Sequence, residues 1–315
     1  MSPRQSSKPR NTIALAADDR MVLGLLVLIS SIARTARFPY RIVMGYFPHE
    51  LSSRSVELIR EYMTYRGIEY EFIMSKPHEL FTERRHLTIT TFSKFVIADA
   101  LPEPHLWLDI DTIVRPGWDE IFDAINSASP GISLVVADKV ESPHTRFEGF
   151  NAGVLGWTAE SRRPWLESLA ALPEKRFSSE QFLFNSLYEK NVARVSSSYN
   201  FLSSWHQLLG NYEEPRIFHY SGPVKPWHLP RRHVPAWDST NATWRFWFEA
   251  EAEFLREISG SPLERRVLRE RRRALFSARL HAGKGGLASW IMRVLAISGP
   301  LGLPVMKLIQ SRAQR

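Results

Sequence analysis

Two carboxylates, an imidazole and a lysine carry the chemistry that this sequence advertises. Asp109 and Asp111 stand one residue apart at the end of the apolar run Leu106-Trp107-Leu108. Side chains two apart on an extended segment point the same way, so both acids can face one point. Carboxylates held that close repel unless a cation lies between them, and a hard divalent ion with oxygen ligands suits the pair. An isolated Asp-x-Asp is more often a turn cap beside a solvated acid, and the rest of the chain is what favours a metal. Downstream, His219-Tyr220-Ser221-Gly222-Pro223-Val224-Lys225 sets an imidazole, a glycine and an ammonium at three-residue intervals. The imidazole can add a nitrogen ligand to a carboxylate-held metal. Gly222 lets backbone approach a phosphate, and Lys225 can neutralise it as a point charge. For His219 alone, a hydrogen-bonded loop histidine is the plain alternative.

The elements that must position these residues alternate. Residues 12–17 read as a strand, 20–34 as a helix and 41–46 as a strand. Residues 51–66 form an amphipathic helix with Leu51, Val56, Ile59 and Met63 on one side, ended by Gly67. A strand over 68–73 and a helix over 91–100, stopped by Pro102, lead into the Asp-x-Asp strand. Beyond it, 119–128 reads as a helix, 132–137 as a strand ending at Asp138, and 152–157 as a strand after Phe150-Asn151. Helices follow at 162–170 and about 179–189, and 196–236 reads as loop. This rhythm predicts an α/β fold, a mostly parallel sheet with helices on both faces. Ligands of such sheets bind at the strand ends. No G-x-G-x-x-G and no P-loop occurs, so neither a dinucleotide fingerprint nor a Walker phosphate cradle is available.

The chain has 315 residues, 44% of them hydrophobic, and can bury a sizeable core. It has no cysteine, which excludes thiolate metal sites, disulfides and cysteine nucleophiles. Residues 21–33 are apolar, but a strand-like run and Asp18-Asp19-Arg20 precede them, so they read as a buried first helix rather than a signal peptide. The formal charge of +8 is uneven: residues 255–315 hold thirteen Lys/Arg against three Asp/Glu. Helical residues 262–280 carry six arginines between 265 and 273, and 287–309 are apolar but broken by Arg293, Gly299-Pro300, Pro304 and Lys307. A basic helix followed by a Trp-bearing apolar stretch suits an anionic membrane surface. Packing of 287–309 on the body is the alternative. Nucleic acid is not expected, since no polar-aromatic pattern follows the basic run. The expected division is a loose arm over 1–11, a body over 12–250 and a basic amphipathic tail over 251–315.

The longer motifs resemble glycosyltransferase family 8. Leu-Asp-Ile-Asp at 108–111, Phe-Asn-Ala-Gly-Val-Leu at 150–155, Glu-Gln-Phe-Leu-Phe-Asn at 180–185, Tyr199-Asn200 and His-Tyr-Ser-Gly-Pro-Val-Lys-Pro-Trp at 219–227 occur in that family's order. Ala17-Asp18-Asp19 and Leu-Thr-Ile-Thr-Thr-Phe-Ser-Lys-Phe at 87–95 also match. The similarity spans roughly 12–230 and is nearest the bacterial lipopolysaccharide galactosyl- and glucosyltransferases.

The resemblance implies a GT-A fold, with a Rossmann-like nucleotide-binding half followed by an acceptor half. It implies retaining transfer of galactose or glucose from a UDP-sugar to a lipopolysaccharide-type or other saccharide, lipid-linked and met on the cytoplasmic face of the membrane. It also implies Mn²⁺, with Mg²⁺ as the alternative. Carried over by position, Asp109, Asp111 and His219 match the metal ligands, and Asp18 matches the acid near uracil. Lys94 stands where arginine is common near the donor, and Ile110 lies between the two acids in the donor site. Asp138 and Asn151 match residues holding sugar hydroxyls, Gly222 and Lys225 the diphosphate contacts, and Gln181 the residue beneath the reacting carbon, with Glu180 beside it. This chain departs from the family in having Glu180 where Asp is usual, Lys94 for Arg, and Arg20-Met21 where Asn-Tyr is usual. Two other readings keep the fold: a soluble sugar, polyol or protein acceptor, or a sugar-nucleotide-binding protein without transfer activity.

Overall fold

The computed structural model describes residues 11–76, 89–140, 149–159, 180–188, 190–210, 213–221, 225–228 and 241–276. Ten strands and seven α-helices are described. Strand β1 (Asn11–Ala16) leads to helix α1 (Val22–Thr35), β2 (Tyr40–Tyr46), α2 (Ser53–Tyr65), β3 (Glu69–Met74) and α3 (Ser93–Ala100). Then come β4 (His105–Leu108), β5 (Thr112–Val114), α4 (Ile121–Asn126), β6 (Leu134–Ala137) and β7 (Val154–Trp157). Helix α5 (Glu180–Tyr188), β8 (Val192–Val195), β9 (Phe201–Leu202) and β10 (Ile217–His219) follow, and α6 (Trp244–Glu257) and α7 (Glu264–Phe276) close the described chain.

Seven strands form one sheet in the order β3-β2-β1-β4-β7-β6-β8. Pairing is parallel except at β7, which runs antiparallel to both neighbours. Along β1, Ile13 and Leu15 face one core while Ala14 and Ala16 face the other, and on β4 Leu106 and Leu108 alternate with Trp107. That alternation, with both faces apolar, is what a sheet covered by helices on both sides requires. One core holds α1 and α2 with apolar residues of α6 and α7; the other holds α3 and α5. Phe95 of α3 stacks on Phe184 of α5 with ring centroids 4.2 Å apart. A second sheet, β5-β10-β9, extends the fold beyond the end of β4.

The expected division at 250/251 falls inside α6. Trp244, Trp247, Phe254, Ile258, Leu263 and Val267 are buried in the same core as α1 and α2. Helix α7 is fastened by Arg266 to Glu57 and Glu61 of α2, and by Arg271 to Glu251 of α6. Half of the arginine run therefore faces body carboxylates or Glu270 of its own helix. Strands β5, β8, β9 and β10 and helix α6 were not expected, and the loop read over 196–236 contains β9 and β10. The helix expected at 162–170, most of the arm and residues 277–315 lie outside the described residues. No described helix is long and apolar enough to cross a membrane.

Candidate active site and metal centre

Topology collects the polar residues at one edge. The C-terminal ends of the parallel strands β1, β4 and β6 point the same way, and antiparallel β7 begins there. Asp18 therefore follows β1, Asp109 and Asp111 follow β4, Asp138 follows β6, and Asn151 precedes β7. Such an edge concentrates polar groups beyond the end of the ladder.

Asp109 and Asp111 do not lie on an extended strand. The chain turns through Ile110 and Asp111 before β5 begins, and Thr112 Oγ1 donates to the Asp109 carbonyl at 2.7 Å to close the turn. The turn carries the chain from the large sheet into the small one, where Thr112 pairs with His219 of β10. That pairing, not the two-residue period of a strand, delivers the imidazole to the carboxylates. One ligand atom each from Asp109, Asp111 and His219 lies within 4.8 Å of the others. Two carboxylate oxygens and an imidazole nitrogen are a donor set suited to a divalent cation, so these residues fit a metal ion.

Each acid also meets a lysine. Lys94 is fully buried, and its Nζ lies 3.1 Å from Asp109 Oδ1 and 3.3 Å from Glu180 Oε1 and donates to the Ala152 carbonyl at 2.9 Å. Burial alone would lower its pKa, but Asp109 and Glu180 outweigh burial and raise it, so it stays an ammonium. Two of the sequence departures, Lys94 and Glu180, thus prove to be partners. The Trp107 indole N–H also donates to Asp109 Oδ1, at 2.8 Å. Lys225 forms a short ion pair with Asp111 Oδ2, and His219 Nε2 lies 3.3 Å from Asp111 Oδ1. Burial pushes the Asp111 carboxyl up, but Lys225 and His219 together hold it well below the usual carboxylate range.

A line of amides runs on from His219. Its Nδ1 is 2.9 Å from Asn200 Oδ1, Asn200 Nδ2 is 3.0 Å from Asn151 Oδ1, and Asn151 Nδ2 is 3.0 Å from Gln181 Oε1. Gly153 is needed beside it: a Cβ there would stand 2.1 Å from His219 Cε1. Gly149, at φ +82°, leaves room for the Asn185 side chain, which pairs with the Phe150 backbone and sets the entry to β7.

The structure therefore joins Asp109, Asp111, His219, Lys94, Lys225, Glu180, Gln181 and Asn151 in one region. Asp18 and Asp138 lie at the same edge with partners of their own. Arg20 folds back on Asp18 at 2.7 Å, and Arg194 lies 3.4 Å from Asp138. The Ile110 side chain is buried in the core, so only its backbone is placed to meet a donor. Gly222 lies outside the described residues. Asn200, Gly153 and Asn185 were missed as site residues. The signal lay in the quoted motifs that contain them, but no type or spacing assigned them a task.

Comparison with known proteins agrees with this geometry. A profile of glycosyl transferase family 8 matches residues 12–229. The lipopolysaccharide 1,3-galactosyltransferase of Salmonella typhimurium is 25% identical over 264 residues, covering 71% of this chain and 75% of that protein. The galactosyltransferase LgtC, solved with donor and acceptor sugar analogues, superposes with a TM-score of 0.62 at 20% identity, covering 81% of this chain and 99% of that one. GlyE of Streptococcus pneumoniae superposes with a TM-score of 0.59 at 19% identity, over 79% of this chain and 63% of that one. Asp–Asp–His geometry, a LgtC-like fold and a family match over more than two-thirds of the chain agree: this chain belongs to glycosyl transferase family 8 and is a glycosyltransferase of GT-A fold.

Proposed function

We propose that this chain is a retaining, Mn²⁺-dependent hexosyltransferase that moves galactose or glucose from a UDP-sugar to a saccharide acceptor of the lipopolysaccharide type. The observation that carries the reading is the Asp109–Asp111–His219 cluster, with ligand atoms within 4.8 Å, flanked by the buried Lys94 ammonium and the part-buried Lys225 ammonium. A bound divalent ion would supply Lewis-acid stabilisation to the diphosphate leaving group. In the same step Lys225 exchanges Asp111 for a diphosphate oxygen and adds a second positive charge. Lys94 stays in place and holds Asp109 and Glu180 at their spacing.

For a retaining reaction, Glu180 and Gln181 bear on the choice between a covalent intermediate and attack from the leaving-group face. Glu180 is buried against Lys94, and an amide such as Gln181 is a weak nucleophile, which disfavours a covalent intermediate. The acceptor oxygen then bonds to the anomeric carbon from the face that the diphosphate leaves. The anomeric carbon–oxygen bond to the diphosphate breaks, and the acceptor's proton passes to a diphosphate oxygen. Asp18 is assigned to uracil, and Asp138 and Asn151 to sugar hydroxyls.

The acceptor is proposed to be lipid-linked and the protein peripheral on the inner face of the membrane. Exposed Arg265, Arg269 and Arg272 lie at helix-face spacing on α7 and continue into the basic, apolar tail. The test is a panel of UDP-sugars incubated with and without Mn²⁺, with NMR of the released sugar. Mn²⁺-dependent release from one UDP-hexose, first as the α-anomer, supports the reading. Failure to bind UDP in the presence of Mn²⁺ overturns it.

A further inference from the structure

The orientation of the amides between His219 and Gln181 can be deduced, because two backbone N–H groups anchor it. Gly153 N lies 2.9 Å from one terminal atom of Asn151, and a backbone N–H can only donate, so that atom is Oδ1. Ala152 N lies 3.3 Å from a terminal atom of Gln181, which must likewise be Oε1. With Asn151 Oδ1 fixed as an acceptor, the Asn200 atom 3.0 Å from it must be the donor Nδ2. Asn200 therefore turns Oδ1 to His219, and the imidazole must carry its proton on Nδ1 to make the 2.9 Å contact. His219 Nε2 is left as the nitrogen facing Asp111 Oδ1 at 3.3 Å. From Gln181 to His219 Nδ1 no member can be reversed without setting two donors or two acceptors against each other. At the far nitrogen, the contact with the Asp111 carboxylate calls for a proton on Nε2 when no ion is bound, and a bound ion takes that proton's place.

We propose that Asn200 is a positioning residue with two outputs. Through His219 it fixes the tautomer that presents the Nε2 lone pair to a metal held by Asp109 and Asp111. Through Asn151 it holds the Gln181 amide in register with the same centre. Asn200 is 2% exposed, as is expected of a group that acts through its neighbours rather than on substrate. Partners that orient metal-ligating histidines are worth roughly 10- to 100-fold in metal affinity or activity. Asn200 differs from the usual single carboxylate or carbonyl partner in that its donor side is also committed. The proposal rests on reading Asp109, Asp111 and His219 as a metal site, but the tautomer can be read without metal or turnover.

The experiment uses ¹⁵N-labelled full-length protein without metal. Long-range ¹H–¹⁵N correlation reads which nitrogen of the neutral His219 ring keeps its proton, and Mn²⁺ alone is then titrated by electron paramagnetic resonance. The expected wild-type ring is protonated at Nδ1. Asn200→Ala loses that preference and roughly 10- to 100-fold in Mn²⁺ affinity. Asn200→Asp keeps the Nδ1 acceptor but cannot donate to Asn151. It therefore retains the tautomer and Mn²⁺ affinity while kcat falls about tenfold or more, within the range for an outer-shell partner, at a little-changed donor KM. A neutral wild-type ring protonated at Nε2 overturns the proposal with no variant required. Unchanged Mn²⁺ affinity in Asn200→Ala, or wild-type kcat in Asn200→Asp, also overturns it. If UDP-sugar turnover fails in the wild type, the functional reading falls, while the tautomer and Mn²⁺ results still decide the role of Asn200.

Discussion

Two part-buried polar clusters in this molecule use the same ingredients to opposite ends. At the junction of α1, α2 and α6, Glu257 accepts from Ser30 Oγ at 3.1 Å and from Tyr62 Oη at 2.9 Å, and pairs with Arg66. Its backbone carbonyl accepts from Tyr65 Oη at 3.1 Å. One carboxylate there meets an adjacent guanidinium and two hydroxyls, and both oxygens are engaged. Burial, followed by Glu257 itself, pushes the Tyr62 hydroxyl far above its ordinary range, so it remains a donor. At the sheet edge, three carboxylates, Asp109, Asp111 and Glu180, share two ammonium groups, Lys94 and Lys225. The first cluster is closed and fastens three helices. The second sets three acids against two fixed cations and the His219 imidazole, and a part-buried imbalance of that kind calls for a further cation. A balanced cluster supports the fold, while an unbalanced one is ready to bind.

Substitutions sharpen that contrast. Lys94→Met should have the largest effect, because it strands Asp109 and Glu180 together in a buried site. Removing one partner of a buried pair costs about 3–5 kcal/mol, so the denaturation midpoint should fall along with turnover. Asp111→Asn should lower Mn²⁺-dependent turnover on the order of 10²–10³-fold, the size seen when one electrostatic contact to a developing charge is lost, a loss far larger than the lost Lys225 pair causes in the unfolding midpoint. Glu257→Gln should do the reverse. Loss of its charge-assisted bonds should cost about 1–3 kcal/mol of stability, while the kcat of the remaining folded enzyme stays at the wild-type value. Equal effects of the last two substitutions on turnover would erase the distinction.

The smallest effect at neutral pH concerns a group outside both clusters. His105, on β4, donates from Nδ1 to the Glu103 carbonyl at 3.0 Å, and burial pulls its pKa down from 6.5 to about 4. Above pH 6.5 the ring is neutral folded or unfolded, and its contribution is intact. As pH falls from 6.5 towards 4, the unfolded chain takes up a proton that the folded one refuses, and stability drops by up to about 3 kcal/mol. His105→Gln should flatten that acid limb of a thermal-denaturation series.

The parts of the fold that were legible in sequence are those with enough residues to show a period. Strands β1, β2 and β3 and helices α1 and α2 lie within two residues of expectation. Strands β5, β9 and β10 have two or three residues each, too few to display alternation, and their pairing is long-range. For that reason the stretch around His219 read as loop. Helix α6 has the apolar spacing of a helix but sits beside the basic run, whose charge suggested a separate tail. Its counter-ions, Glu57, Glu61 and Glu251, come from α2 and α6 and become visible only once the helices pack. In the site, residue type was enough to single out Asp109, Asp111, His219 and Lys225. The pairing of Lys94 with Glu180, the turn at Ile110 and the task of Asn200 depend on what stands opposite, which spacing along the chain does not record.

The most direct test of the central claim is a titration of Mn²⁺ followed by electron paramagnetic resonance, comparing wild type, Asp111→Asn and Glu257→Gln. An acid excess that exists to hold an ion predicts one Mn²⁺ per chain in the wild type, the same in Glu257→Gln, and loss of that site in Asp111→Asn. Unchanged Mn²⁺ binding in Asp111→Asn would contradict the account.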